Sequence, residues 1–198
     1  KEYRRQRQMC IRDRPTPPEG RGIVPRMLVG YDPTWPEQFE RIARQIRALG
    51  DADWTIEHIG STAIPGMRAK PIIDVAVRIR DLDDFEIHSQ ALHAGGWRRG
   101  SAVRSHPVMI LEADGIRSAI AHFFVEGEWD AVHQRLLRDW LRSHPDDADR
   151  YSHAKCDAVA AAARGASTYN AAKTPVIQEI VDRCLLYTSP SPRDLSTS

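Results

Sequence analysis

The sequence has few cysteines, no long apolar run and no paired histidines. Its three cysteines, among 198 residues, fit neither a disulfide framework nor the spacing of a zinc site. No stretch approaches the roughly 18 consecutive apolar residues that a membrane helix needs, and the N-terminus lacks the apolar core of a secretory signal. None of the eight histidines forms an H-x-x-x-H or H-E-x-x-H pair. We therefore expect a cytoplasmic protein without a membrane partner.

The two ends of the chain differ from its middle. Residues 4–14, RRQRQMCIRDR, resemble one reading frame of a transposase sequencing adapter, and residues 184–194, CLLYTSPSPRD, resemble a frame of the partner adapter. We interpret residues 1–22 as a disordered or artefactual tail and residues 184–198 as an artefactual one, around a single domain of residues 23–183. The alternatives are a basic nucleic-acid-binding arm and a Ser-Pro phosphorylation tail.

The formal charge of the chain depends on these ends. With residues 1–14 and 184–198 set aside, 21 basic and 24 acidic residues remain, and the formal charge changes from +1 to −3. Nucleic-acid binding depends on clustered Lys and Arg side chains that neutralise phosphates. The acidic balance therefore predicts that the domain has no nucleic-acid partner.

The first half of the domain is predicted to hold two helices and two strands. The capping-box sequence T-W-P-E, which begins at Thr34, predicts a helix that ends at Gly50. Residues 54–59 predict a strand. Residues 72–79, IIDVAVRI, are typical of a strand covered on both faces. A second helix is predicted over residues 81–92.

The second half is predicted to hold a hairpin followed by helices. Asp114-Gly115 lies between two β-rich runs within residues 108–125, which is a strong signal for a tight hairpin. The predicted helices are one from Glu128 to just before Pro145, one over residues 148–164, and one over residues 167–183 that is kinked at Pro175. The expected class is α+β, with a mixed sheet, flanking helices and a helical C-terminal third.

Gly60-Ser61 at the end of one strand and Asp74 on the next follow the order that nucleotidyltransferases use. Glycine permits a close backbone approach, the following helix N-terminus offers N–H groups to a triphosphate, and the Ser61 hydroxyl adds a donor. The Asp74 carboxylate can hold a divalent cation that bridges the phosphates. This predicts a nucleotide or another phosphorylated small molecule as ligand, with Mg²⁺ on Asp74. The alternatives are an N-cap role for Ser61 and a buried, paired carboxylate at Asp74.

The longer segment around these residues carries a family resemblance. Residues 56–74, IEHIGSTAIPGMRAKPIID, resemble the signature of the GrpB-like family. The likeness continues through YDPTWPEQF at residues 31–39, LLRDWLRSHP at residues 136–145, Tyr151 with Lys155, and YNAAKTPVI at residues 169–177. The resemblance implies a nucleotidyltransferase-like fold, and some relatives in that family are fused to dephospho-CoA kinase.

The sequence departs from the pattern of active nucleotidyltransferases. Those enzymes carry a second carboxylate two residues after the first, on the same side of the strand, and here Ala76 occupies that position. Glu112, on the predicted strand before the hairpin, is the candidate for a second catalytic acid beside Asp74, and Glu57 is another possibility. His122 matches one histidine of a His-x-His pattern in the family, whereas Phe124 occupies the other position.

Several basic residues and one histidine complete the candidate site. His58 either orients the Gly-Ser loop or donates to a ligand. Lys70 lies between loop and strand, where a triphosphate would bring negative charge. Arg138, Lys155 and Lys173, together with Arg142, are candidates for a basic wall over the site. For Arg138 the alternative is an ion pair with Asp139 or another acid.

The sequence supports two functions of different kinds. The first is a nucleotidyltransferase-like protein that binds a nucleoside triphosphate or a related phosphorylated ligand with a divalent metal. The alternative, favoured by Ala76, is a catalytically inactive domain that acts in binding or folding assistance of a partner protein such as dephospho-CoA kinase.

Overall fold

The computed structural model describes residues 28–100, 105–165 and 168–188. The predicted N-terminal tail, residues 1–22, lies outside this part of the chain. The strands are β1 (Thr55–Ile59), β2 (Ile73–Ile79), β3 (Trp97–Arg99), β4 (Val108–Ala113) and β5 (Ile116–Val125). The helices are α1 (Trp35–Leu49), α2 (Leu82–Ala94), α3 (His133–Ser143), α4 (Pro145–Ala163) and α5 (Tyr169–Thr188), with 3₁₀ turns at Ser61–Ala63 and Glu126–Ala131.

The five strands form one mixed sheet in the order β1-β2-β5-β4-β3. β2 and β5 are parallel, and the other neighbouring strands are antiparallel. Asp114 and Gly115 have φ of 53° and 74°, as the tight β4–β5 hairpin requires. The predicted α+β class with a helical C-terminal third is therefore confirmed.

One face of the sheet carries the main core. Val75 and Val77 of β2 and Phe123 of β5 are fully buried there. They pack in one cluster with apolar side chains of α1 and α2, namely Trp35, Ala43, Ile46, Phe85 and Leu92. Side chains alternate along a strand, so Asp74 and Ala76 point to the opposite face.

The opposite face lies towards the C-terminal helices. Helices α3, α4 and α5 pack together through a second apolar cluster that includes Trp140, Tyr151 and Ile180. Ile64 and Met67, from the loop between β1 and β2, belong to the same cluster. The loop that begins with Gly60-Ser61 is therefore held between the sheet and the helical layer.

Three predicted boundaries differ in the structure. Thr34 makes no capping bond to the backbone of α1; instead the Asp32 carboxylate accepts hydrogen bonds from the Thr34 N–H and hydroxyl, both at 2.8 Å. The helix predicted from Glu128 begins as a 3₁₀ turn, because Val132 is extended, and α3 starts at His133. Helix α5 contains Pro175 and continues beyond Arg183, and Cys184 is buried in the second cluster.

Candidate functional site

A cleft of about 970 Å³ separates the second face of the sheet from helices α3 and α5. Its lining includes side chains of β2 and β5, the Gly-Ser loop and the start of α5. The predicted site residues that line it are Gly60, Ser61, Lys70, Asp74, Arg138 and Lys173. His58, Glu112 and Lys155 are not among its lining residues.

Gly60 and Asp74 are in close contact at the base of the cleft. Ile59 pairs with Asp74 across β1 and β2, so the chain turns beside the carboxylate immediately after the strand. Gly60 has φ of +72°, and a Cβ atom there would lie 2.4 Å from Asp74 Oδ2. Position 60 therefore requires glycine both for its backbone conformation and for the approach of Asp74.

The turn after Gly60 is short, as the sequence predicts. It is a 3₁₀ turn of three residues, Ser61–Ala63, in which the Ala63 N–H donates to the Gly60 carbonyl at 3.3 Å. Because it is a single turn and not the start of a longer helix, it lacks the aligned peptides that favour an anion at a helix N-terminus. Burial raises the pKa of Tyr151 of α4, and the neighbouring Ser61 hydroxyl opposes that rise.

The charges of Lys173, Arg117 and Lys155 act on Asp74, and Lys70 lies near Lys173 and Arg117 in the same cleft. We call the four of these residues that line the cleft the Asp74 cluster: Asp74, Lys70, Arg117 and Lys173. Burial raises the pKa of Asp74 to about 6, against the opposing effect of Lys173 and Arg117. Burial also lowers the pKa of Lys70, and the charges of Lys173 and Arg117 lower it further. The cluster therefore concentrates positive charge that a single carboxylate does not balance.

Aromatic contacts and an unsatisfied donor mark this cluster. The Lys70 Nζ lies 3.8 Å from the centroid of the Tyr169 ring, and the Lys173 Nζ lies 4.9 Å from the same centroid. Within the described part of the chain, the buried Nε of Arg117 has no hydrogen-bond partner, and none of the three cations forms an ion pair with a carboxylate. Arg117 was not predicted from the sequence, and Tyr169 was predicted only as the first residue of the segment YNAAKTPVI, without a role.

A second group of charges, on the same face of the sheet, is fully paired. Glu57 of β1 accepts hydrogen bonds from Arg135 Nη2 at 2.9 Å and Nε at 3.1 Å, and Arg138 Nη1 lies 2.7 Å from its Oε2. Burial alone would raise the pKa of Glu57, but the two arginines outweigh it and hold that pKa below its ordinary value. We call Glu57, Arg135 and Arg138 the Glu57 cluster.

The other predicted basic residues donate to backbone carbonyls of β1 and of the loop after it. Arg138 also donates to the His58 carbonyl at 2.9 Å. Arg142 donates twice to the Ala63 carbonyl, at 2.7 and 3.1 Å. The buried Lys155 donates to the Arg68 carbonyl, and burial lowers the pKa of Lys155 to about 7. Of the four basic residues predicted for the wall, Lys173 is the one that belongs to the Asp74 cluster.

His58 takes the structural role of its two predicted alternatives. Its ring stacks on Phe39 with centroids 4.9 Å apart, and its Nε2 is 3.0 Å from Thr62 Oγ1. Burial lowers the pKa of His58 to about 4, helped by the charges of Arg142 and Arg138. A buried, neutral ring therefore supports the Gly-Ser loop from behind.

His122 is paired with a histidine, but that histidine is His106 and not a residue at position 124. His122 and His106 both line the cleft, with His106 Nε2 2.9 Å from His122 Nδ1. Phe124 packs against His106 with ring centroids 4.3 Å apart. His106, on the loop before β4, was not predicted, because nothing in the sequence links it to position 122.

Neither candidate for a second acid beside Asp74 is available to it, and the position of the missing carboxylate is apolar. Ala76 is packed in an apolar cluster with Ile59, Phe124, Trp129 and Val132. Glu57, its cross-strand neighbour, is bound by two arginines. Glu112 is exposed and bound in a bidentate pair by Arg98 of β3.

These contacts test whether a magnesium site of the nucleotidyltransferase kind fits. Mg²⁺ takes about six oxygen ligands, and a two-ion site needs several carboxylates. Among the described lining residues, the carboxylates are Asp74 and Glu128, and Glu128 lies on the exposed 3₁₀ turn before α3. With one enclosed carboxylate beside three cations, the residues present do not fit such a site.

A group with metal-ligand spacing does lie elsewhere in the described chain. Atoms of Asp51, Asp84 and His88 lie within 4.8 Å of one another. The buried Asp84 carboxylate already accepts from Trp54 Nε1 and from the Arg80 N–H, each at 3.1 Å. Those bonds join α2 to its neighbours, so this group serves the main core.

Comparison with known proteins matches most of the chain. The family profile described as GrpB protein matches residues 25–183. A UPF0157 protein of Halalkalibacterium halodurans is 32% identical over 166 residues, covering 79% of this chain and 80% of that protein. A dephospho-CoA kinase of Mycobacterium bovis is 30% identical over 179 residues, covering 77% of this chain but 44% of the kinase.

The fold also matches a solved structure. The crystal structure of conserved protein GrpB from Enterococcus faecalis aligns with a TM-score of 0.67 at 23% identity, covering 79% of this chain and 98% of that one. The mixed sheet with its flanking helices is therefore the fold of that GrpB structure. None of the helices in the described residues combines the length and the apolar character needed to cross a membrane.

Proposed function

The chain belongs to the GrpB family, and we propose that its cleft binds a phosphorylated small molecule, first of all a nucleotide, at the Asp74 cluster. The observation that carries the proposal is the surplus of cations: Lys70, Arg117 and Lys173 line one cleft with the single enclosed carboxylate of Asp74. Partly buried like charges repel one another unless an anion lies between them. An anionic ligand would relieve this repulsion and complete the donor set.

The type of anion follows from the donors. The forked guanidinium of Arg117 and the ammonium groups of two lysines suit phosphate oxygens, which accept several charge-assisted hydrogen bonds at once. The buried, unsatisfied Nε of Arg117 is one donor that such a ligand would satisfy.

The rest of the cleft favours a ligand larger than inorganic phosphate. Its volume of about 970 Å³ is at the upper end of small-molecule sites. His106, His122 and Phe124 add aromatic rings to its lining. Cations and aromatic rings in one cleft suit a nucleotide, because a nucleotide carries both phosphates and a base.

Metal-dependent nucleotidyl transfer is the second candidate. It is favoured by the contact of Gly60 with Asp74, in the order that the fold family uses. Mg²⁺ on Asp74 belongs to this candidate, which would need a further carboxylate from a substrate or a partner protein. A module that assists a partner such as dephospho-CoA kinase is the third candidate, and the match to part of such a kinase favours it.

A thermal-shift panel tests the proposal. The probes are nucleoside mono-, di- and triphosphates, inorganic pyrophosphate and the unphosphorylated nucleosides. At 100 times its dissociation constant a ligand adds about 2.7 kcal/mol to the free energy of unfolding. We expect phosphorylated probes to stabilise the protein and nucleosides to have little effect.

Two variants localise the effect. Lys70→Met removes a cation of the Asp74 cluster and should abolish the shift. Arg44→Met removes the same charge from the exposed face of α1, on the other side of the sheet, and should keep it. The proposal fails if no phosphorylated probe stabilises the wild-type protein, or if both variants respond alike.

A further inference from the structure

Resting on the proposed function, we infer that the cleft binds its phosphorylated ligand without a divalent cation, with Lys173 and Arg117 supplying the positive charge beside Asp74. In metal-dependent sites a bound ion screens the phosphates from the carboxylates that hold it. Here the protein's own cations flank the carboxylate. A metal ion is therefore not required to make the cleft attractive to an anion.

The first support is that the sheet positions beside Asp74 offer no free second carboxylate. The strand position that would offer a second acid is Ala76, fully buried in an apolar cluster. On the adjacent strand, Glu57 already binds two arginines. Freeing Glu57 for a metal would break both pairs and leave Arg135, whose side chain is 17% exposed, without its bidentate partner. Recruiting the missing ligand would therefore disrupt the fold.

The second support is the charge that a metal ion would meet. Lys173 and Arg117 both act on the Asp74 carboxylate, and Lys70 adds a third positive charge in the same cleft. A divalent ion bound to Asp74 would be repelled by all three. A phosphate group in the same place would be attracted by all three.

The third support is that the cations are held in place before any ligand arrives. The ammonium groups of Lys70 and Lys173 both lie over the Tyr169 ring, at 3.8 and 4.9 Å from its centroid. Contacts of this kind stabilise a cation over the face of the ring. Tyr169 therefore positions two lysines towards one ligand, which reduces the cost of ordering them on binding.

The test is the affinity for ATP and for inorganic pyrophosphate, measured by calorimetry with excess EDTA and again with excess Mg²⁺. We expect saturable binding in EDTA that is at least as tight as in Mg²⁺. Binding that requires Mg²⁺ would overturn this inference and leave the proposed function intact. The absence of binding under both conditions would overturn the proposed function as well.

Two pairs of variants sharpen the test, with thermal unfolding as the check on folding. Asp74→Asn removes the one negative charge of the cluster, so binding in EDTA should tighten by a few fold; loss of binding in this folded variant would contradict the inference. Tyr169→Phe keeps the ring under the lysines and should bind as the wild type does. Tyr169→Leu should weaken binding about fivefold, and equal affinities in this pair would remove the positioning role of Tyr169.

Discussion

The Glu57 cluster and the Asp74 cluster lie on the same face of one sheet, but their charges are arranged in opposite ways. In the first, one carboxylate joins two arginines at 2.7–3.1 Å and fixes α3 to β1. In the second, three cations line one cleft with a single enclosed carboxylate, and among the described residues none of them forms an ion pair with it. A fold that pairs its charges so closely in one place does not need surplus charge for stability in the other, so the surplus points to binding.

The largest expected loss of unfolding free energy concerns the Glu57 cluster. Glu57→Gln removes the carboxylate that Arg135 and Arg138 share, and Arg138 keeps its bidentate pair with Asp139. Losing the partner of the half-buried Arg135 should cost about 3–4 kcal/mol of unfolding free energy. Glu112→Gln, which breaks the exposed pair with Arg98, should cost less than about 1 kcal/mol. Chemical denaturation of both variants measures the difference. Equal losses would show that the Glu57 cluster is no more structural than a surface ion pair.

The next largest effect is expected from acid, which should lower the free energy of unfolding through His58. The folded pKa of His58 is about 4, below its ordinary 6.5, so this residue stabilises the fold above pH 6.5 and the contribution disappears as the pH falls to about 4. A shift of that size corresponds to about 3 kcal/mol of unfolding free energy. Denaturation at a series of pH values should show this fall. His58→Phe, which keeps the ring on Phe39, should flatten the dependence, and an unchanged pH profile in that variant would rule out His58 as its source.

An intermediate effect is expected at the junction of loop and Asp74 cluster. Gly60→Ala forces a Cβ into the 2.4 Å contact with Asp74 Oδ2 at a φ of +72°, which should cost about 2 kcal/mol of unfolding free energy. Gly127→Ala is a matched control, because a Cβ there meets nothing within 4 Å. Thermal unfolding of the pair measures the effect. A tolerant Gly60 would mean that Asp74 is free to move away.

The smallest effect on stability is expected in the Asp74 cluster, where removing a cation should raise the free energy of unfolding. Lys173→Met removes one of three mutually repelling cations and keeps the apolar stem, so the unliganded protein should gain about 0.5–1 kcal/mol of unfolding free energy. Denaturation without ligand measures this gain. A loss of more than about 1 kcal/mol would place Lys173 among the residues that stabilise the fold, and the contrast between the clusters would disappear.

The fold was largely predictable because its signals are local. The Asp114-Gly115 turn, the apolar run of β2 and the glycine before Ser61 each determine their own neighbourhood, and all three took the expected form. The side of β2 on which Asp74 lies follows from the period of two along a strand. Local sequence signals were therefore sufficient to predict the strands, the turns and the face of the sheet on which Asp74 lies.

The partners of the charged residues were not predictable in the same way. Arg138 and Lys155 bond to backbone carbonyls that are distant in sequence, and Arg117 reaches the cleft only through the pairing of β5 with β2. Glu112 looked available because its partner, Arg98, lies on a short strand that the sequence did not predict. Which carboxylate an arginine binds is decided by tertiary contacts, and these are invisible to spacing.

The most direct test of the central claim is a calorimetric titration of pyrophosphate into the wild-type protein, into Lys173→Met and into Arg44→Met. If the surplus charge of the Asp74 cluster is a phosphate site, the wild type and Arg44→Met will bind one equivalent with equal affinity, and Lys173→Met will bind at least about tenfold more weakly. Equal affinity in all three proteins, or no saturable binding by the wild type, would contradict the claim.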